Sequence, residues 1–236
     1  MTGRGRPGDG RDQRWAAHRE QRRLQILDAA LAVIERTPEG QEVHVWQIAQ
    51  EAGLGRAVIY RHFADRADLD HAVQQHVLHL LMDRLVPEFQ LAGTIEQTIQ
   101  RIVRAYVAWA AKHPVLHRLG AAETRDPGHP DAVVETISVI AELISALVTS
   151  GAALLEVELT EDDRILLRPL VFGIVGQAVG TVRFWLADGE QVPPADVLAV
   201  HLARSIWFQL DGHARDRGIE LDPQVPLDAL FSRLSK

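Results

Sequence analysis

Leu24, Leu27, Leu31 and Ile34 recur at i, i+3, i+7 and i+10, one stripe of an amphipathic helix that Pro38 and Gly40 end, so a first helix is predicted over 14–36. Val45, Ile48, Ala49 and Ala52 give a short second helix. Gly53 follows it at the position where a left-handed backbone suits glycine, and Gly55 opens a third helix near Arg56. So few residues separate Ala52 from Arg56 that these two helices must meet at a steep angle, the helix-turn-helix geometry. Leu69, Val73, His76, Val77 and Leu80 share a stripe of a fourth helix over 66–85, stopped by Pro87. Further helices are predicted at 94–112, 114–122, 131–155, 161–187 and 194–216, separated by Pro114, the DPGHP stretch at 126–130, and Gly189 to Pro194. No segment sustains a period of two, so the fold expected is all-α.

On the third helix, Ile59 and Phe63 lie four apart and share a face with Leu54, and these three are expected to bury against the first two helices. Arg56, Ala57, Val58, Tyr60, Arg61 and His62 are left on the outer side. Guanidinium forks match guanine or phosphate and small apolar side chains can touch a thymine methyl, so this face suits the DNA major groove. The bland alternative is an ordinary solvated helix face.

Charge sharpens that picture. The 236 residues carry a net charge of -7, yet residues 1–23 hold seven Arg against Asp9, Asp12 and Glu20. An Arg-rich front on an acidic body fits a chain whose front meets a polyanion. There is no cysteine, which excludes disulfides and thiolate metal sites. The first residues are charged but no apolar stretch follows them, so no signal peptide is expected. The uncharged run from Pro169 to Val182 is shorter than the roughly 18 residues a membrane span needs and is expected to be a buried helix. Thr136 to Leu155 is long enough but carries Glu142 and several hydroxyls, which favours a core helix and no membrane partner.

The stretch IAQEAGLGRAVIYRHFADRADL, preceded by RRLQILDAALAVIE, resembles the N-terminal domain of the TetR (tetracycline repressor) family of bacterial regulators over about residues 20–70. The resemblance implies base or groove contacts from Arg56, Ala57, Val58 and His62, and a phosphate contact from Tyr60. It also implies a phosphate contact near Arg66, where the family usually has Lys. His44 stands where a Thr commonly caps the second helix, and Gly55 replaces a usual Ser cap. The lost acceptors cost about 1 kcal/mol for the His and a few tenths for the Gly.

Residues 1–13 are expected to form a flexible arm. Within it Arg4-Gly5-Arg6-Pro7 is similar to an AT-hook core, whose arginines enter a narrow minor groove; an unstructured tail is the alternative. Gly3 to Gly8 also spell G-x-G-x-x-G, but with no strand before them the dinucleotide reading is discarded.

In the body, Gly173, Gly176 and Gly180 crowd one helix with Phe172, Val175 and Val179 between them. Each interior glycine costs about 0.8 to 1.0 kcal/mol relative to Ala, so close approach of another helix is expected in compensation. Family resemblance implies that the last two long helices build a four-helix dimer interface. Gly176, Val179, Gly180, Leu202 and Ile206 are its candidates, and packing within one chain is the alternative. Tyr106, Trp109, His113, His117, Phe172 and Gln177 are candidate walls of a pocket for a hydrophobic effector. His113 and His117 have a metal-compatible i, i+4 spacing, but Pro114 intervenes and no third ligand is evident, so no metal is expected. Neither a di-iron Glu-x-x-His, an H-E-x-x-H, a G-x-S-x-G nor a P-loop occurs, so no catalytic residues and no cofactor are assigned.

The expectation is an all-α chain with a helix-turn-helix DNA-binding domain over 14–65 and a larger effector-binding and dimerisation domain over 66–236. It is a homodimeric cytoplasmic, nucleoid-associated regulator of a near-palindromic operator on double-stranded DNA, released by a small-molecule effector. The alternative from another class is an all-helical carrier or enzyme without a DNA-binding role.

Overall fold

A computed structural model describes residues 9–38, 40–90, 92–122, 132–154 and 157–227. Its elements are α1 (Asp9–Arg36), α2 (Val45–Glu51), α3 (Arg56–His62), α4 (Arg66–Leu85), α5 (Ile95–Lys112), α6 (Pro114–Gly120), α7 (Ala132–Leu154), α8 (Glu161–Ala187) and α9 (Ala195–Arg215), with a short 3₁₀ turn over Val86–Phe89 after α4. Among the described residues there is no strand. The chain divides inside α4 into two compact units, Met1–His76 and Val77–Lys236.

Helix starts follow local chemistry. At α5 the Gln97 amide donates to Thr94 Oγ1 at 3.2 Å, while the Thr94 amide donates to Gln97 Oε1 at 3.0 Å. Thr160 and Asp163 repeat the exchange at α8, so two otherwise orphaned donors are satisfied at each start. The first helix begins at Asp9, earlier than the expected Arg14, so residues 9–13 are helical and not part of an arm. Arg and Gln in this stretch are good helix formers. Arg4 and Arg6, the proposed minor-groove arm, lie outside the described residues, as does the DPGHP stretch at 126–130.

The core of the first unit is built on Ile26, Ala30, Ile48, Ile59, Phe63 and Leu69, all essentially without solvent contact. Leu24 is an exception to its stripe and is exposed, because the buried side of α1 is centred on Ile26, Ala30 and Val33. In the second unit α5 packs along α9, bringing Val103, Tyr106, Val107 and Ala110 together with Ala199, Leu202, Ala203 and Ile206, and with Val182 and Trp185 of α8. Leu202 and Ile206 therefore point into the protomer's own core, against their expected place in a dimer interface. A stripe that fills the groove of α5 has no surface left for a partner.

Two expectations of burial fail. α8 buries only Val171, Val182, Trp185 and Leu186, and leaves Ile165, Leu166, Phe172 and Phe184 exposed. α7, packed on α8, leaves Val134, Val139 and Leu143 exposed. Both helices are long and apolar enough to cross a membrane, judged by length and composition. Periodicity identified them as helices but could not say how much apolar surface the protomer covers.

Candidate nucleic-acid interface

The turn between α2 and α3 is a Schellman motif around Gly53. Its amide donates to the Gln50 carbonyl at 3.1 Å and the Leu54 amide donates back to the Ala49 carbonyl at 2.8 Å. Gly53 adopts φ +65°, a left-handed conformation in which a Cβ is strained. Gly55 then stands in extended backbone at the start of α3, with the Val58 amide donating to its carbonyl. His44 makes no side-chain cap at α2. Instead its backbone amide donates to Gln47 Oε1 at 2.7 Å, which satisfies one donor from the other side of the turn.

Ile59 and Phe63 are buried and Leu54 is half-buried, so α3 is pinned by its inner face. Its outer face carries exposed Arg56, Ala57, Tyr60 and Arg61, with Val58 and His62 partly covered. The fold brings Arg56, Tyr60 and Arg66 around one shallow hollow, whose remaining walls are His44, Val45 and Trp46. Arg66 is committed in part: it donates to both oxygens of Asp70 at 2.8 Å and to the Val43 carbonyl at 2.6 Å. Trp46, half exposed beside them, is a contributor that pattern analysis missed; its signal is a large aromatic on the polar side of a two-turn helix.

Two α1 residues that periodicity did not single out fix the geometry. Arg23 donates to the His62 carbonyl at 3.0 Å and stacks 4.4 Å over the Phe63 ring, closing the C-terminus of α3. Gln25 donates to the Ala52 carbonyl at 2.8 Å, closing α2. Both helices of the motif thus end on groups supplied by α1. Partial burial, followed by Arg19, Arg23 and Arg22, lowers the His62 imidazole below the ordinary histidine value, so it is a neutral hydrogen-bonding group at pH 7.

Of the expected effector residues, Tyr106 Oη and His117 Nε2 form a buried 2.7 Å hydrogen bond between α5 and α6. Burial, helped by Arg118 and Arg183, lowers His117 to about 4, and its Nδ1 is buried without a hydrogen-bond partner. Burial raises the Tyr106 phenol. Trp109 and His113 hold their rings 5.6 Å apart. Gln177 donates to Ser205 Oγ at 3.0 Å and accepts from Gln209 at 2.6 Å, a polar network between α8 and α9, while Phe172 is half exposed. A shallow hollow in this unit is lined by Arg104, Asp196, Val197, Val200 and His201, and none of the six expected residues borders it. Gly120 on α6 lies so close to α4 that a Cβ there would stand 3.2 Å from Val77 Cγ1. Of the dimer candidates, Gly176 and Gly180 are exposed with open space over them and Val179 is partly buried.

Residues 26–73 match the family model described as bacterial regulatory proteins, tetR family. An uncharacterized HTH-type transcriptional regulator of Mycobacterium tuberculosis is 24% identical over 208 residues, covering 86% of this chain and 83% of that protein. The HTH-type transcriptional repressor LfrR of Mycolicibacterium smegmatis is 31% identical over 37% of this chain and 44% of its own. A tetR-family transcriptional regulator from Streptomyces coelicolor shares the fold with a TM-score of 0.60 at 22% identity, over 92% of this chain and 89% of that one. FadR from Bacillus subtilis, solved in complex with stearoyl-CoA, has a TM-score of 0.59 at 20% identity, over 78% and 96%.

Proposed function

As a member of the tetR family of bacterial regulatory proteins this chain is a transcriptional regulator, and we propose that it is a homodimeric repressor that leaves a near-palindromic operator when a small hydrophobic molecule enters its helical body. The observation that carries this reading is the outer face of α3, where Arg56, Tyr60 and Arg61 stand exposed while Ile59 and Phe63 lock the helix from within. A two-fold axis would set two such helices about 34 to 36 Å apart, one turn of DNA.

The dimer surface we assign is the outer stripe of α8, Pro169, Phe172, Gly173, Gly176, Gly180 and Phe184, with exposed Val200, Arg204 and Phe208 of α9 beside it. Open space over the three glycines admits a partner helix closely. Arg183 and the Gln177 network on and beside this face suit a protein partner better than lipid tails. The protein then works in the cytoplasm, as a DNA-binding regulator and not as an enzyme.

Signal transfer runs through α6. Tyr106 and His117 tie α6 to α5, and Gly120 seats it on Val77 and Leu78 of α4, the helix whose first residues follow α3. An effector that separates Tyr106 from His117 displaces α6 and so biases α4; a coupling of about 1–3 kcal/mol lowers operator affinity some 5- to 150-fold. FadR, bound to an acyl-CoA in a related fold, supports an effector with a long apolar part.

A gel shift against the intergenic DNA flanking the gene tests the function. Wild type is expected to bind with an affinity that falls steeply with salt, and Arg56→Ala with Tyr60→Ala to lose at least about tenfold, as expected when two groove-facing contacts go. Salt-independent binding, or an unchanged affinity in the double variant, contradicts the assignment.

A further inference from the structure

Every residue from Trp15 to Arg22 is exposed, so the front of α1 stands clear of the core as a bare helix before its buried positions begin at Ile26. Its orientation is set by Arg23, which is anchored on the His62 carbonyl and the Phe63 ring at the end of α3. Residues four apart share a helix face, so Trp15 and Arg19 continue the stripe that starts at Arg23, each one turn further out. Arg22, beside that stripe, donates to Gln25 Oε1 at 3.0 Å, and Gln25 in turn closes α2. Arg19, Arg22 and Arg23 all act electrostatically on His62 at the end of α3, and Arg23 touches it directly. Trp15 is 73% exposed, a large aromatic surface at the tip of a cationic stripe.

We infer that the projecting front of α1 is a second DNA-docking surface, in which Arg19 and Arg22 engage the phosphodiester backbone beside the groove entered by α3 and Trp15 packs on the adjoining sugar edge. It rests on the DNA-binding role proposed above and adds to it a sequence-independent grip that the matched region, residues 26–73, does not contain. Phosphate is the fitting occupant by charge: the stripe is cationic, it meets the end of α3 at Arg23, and Glu20 is the one acid between Trp15 and Arg23. Phosphate contacts position a protein without reading sequence, so the surface raises affinity and not selectivity.

The test uses full-length protein and a duplex that the wild type selects from a random-sequence library. Each phosphate contact contributes about 0.9 to the slope of log affinity against log salt, so Arg19→Ala with Arg22→Ala is expected to flatten the slope by about 1.8 while preserving base preference. Arg19→Lys with Arg22→Lys keeps the charges and is expected to restore the slope, which a merely structural role does not predict. In a Trp46→Phe background, which removes the indole beside the Arg56 and Tyr60 hollow, tryptophan emission is expected to change on adding the duplex, and Trp15→Phe to remove most of that change. An unchanged slope in the alanine variant, or a change in emission that survives Trp15→Phe, overturns the inference while leaving the α3 assignment standing. A wild type that selects no duplex at all overturns both.

Discussion

Single residues hold the helix-turn-helix together by conformations and contacts with definite costs. Gly53 has open space where a Cβ would point, so its value lies in the backbone: Gly53→Ala is expected to destabilise the protein by about 1–2 kcal/mol, the cost of a left-handed L-residue, measured by urea denaturation. His117 makes a pH-dependent contribution whose sign follows from its lowered value of about 4 against an ordinary 6.5. Between those values the unfolded chain binds a proton that the folded chain refuses, so stability falls as pH drops through about 6.5 and goes on falling to about 4. The total is on the order of 3 kcal/mol. His117→Gln is expected to remove that portion of the acid sensitivity, seen as a smaller difference between melts at pH 7 and pH 4. The positions of Gly53 and the exposed Arg56 and Tyr60 followed from local spacing. Arg23 did not, because its partners His62 and Phe63 are some forty positions away and an Arg on a helix reads as solvated.

At the scale of elements the helices were readable from the chain with their limits close to those observed: α4 spans Arg66–Leu85 as expected, and α8 ends at Ala187 as expected. Prolines, glycines and capping residues act within a turn of themselves, which is why boundaries could be found without knowing the packing. What an element faces is another matter. The apolar stripe of α9 with Leu202 and Ile206 looked available to a partner but is consumed by α5, and the greasy stretch of α8 looked buried but is largely open. The glycine face of α8 is therefore the dimer surface we propose. Gly180→Leu, placed where nothing lies within 4 Å in the protomer, is expected to keep the helical circular dichroism and to shift the protein from dimer to monomer in light scattering. Retention of the dimer would point to another surface.

For the whole molecule, the net charge of -7 combines an Arg-rich front with an acidic body. That division of labour fits the proposed role, in which the front meets DNA while the body's negative charge keeps its other surfaces off it. A dimer reading a palindrome also makes affinity depend on helical phase. Inserting about five base pairs between the half-sites, half a turn of DNA, turns one site away from its α3. The affinity is expected to fall by at least about tenfold in a gel shift, about 1.4 kcal/mol. The amino-acid sequence by itself determined the all-helical class, the succession of elements, the tight corner at Gly53 and the polar face of α3, because each depends on residues within a few turns of one another. Tertiary structure alone decided that Arg23 and Gln25 close the two short helices, that Tyr106 meets His117, and which apolar stripes are spent inside the protomer. Those pairings join residues distant along the chain, and only the way the helices pack brings them into contact.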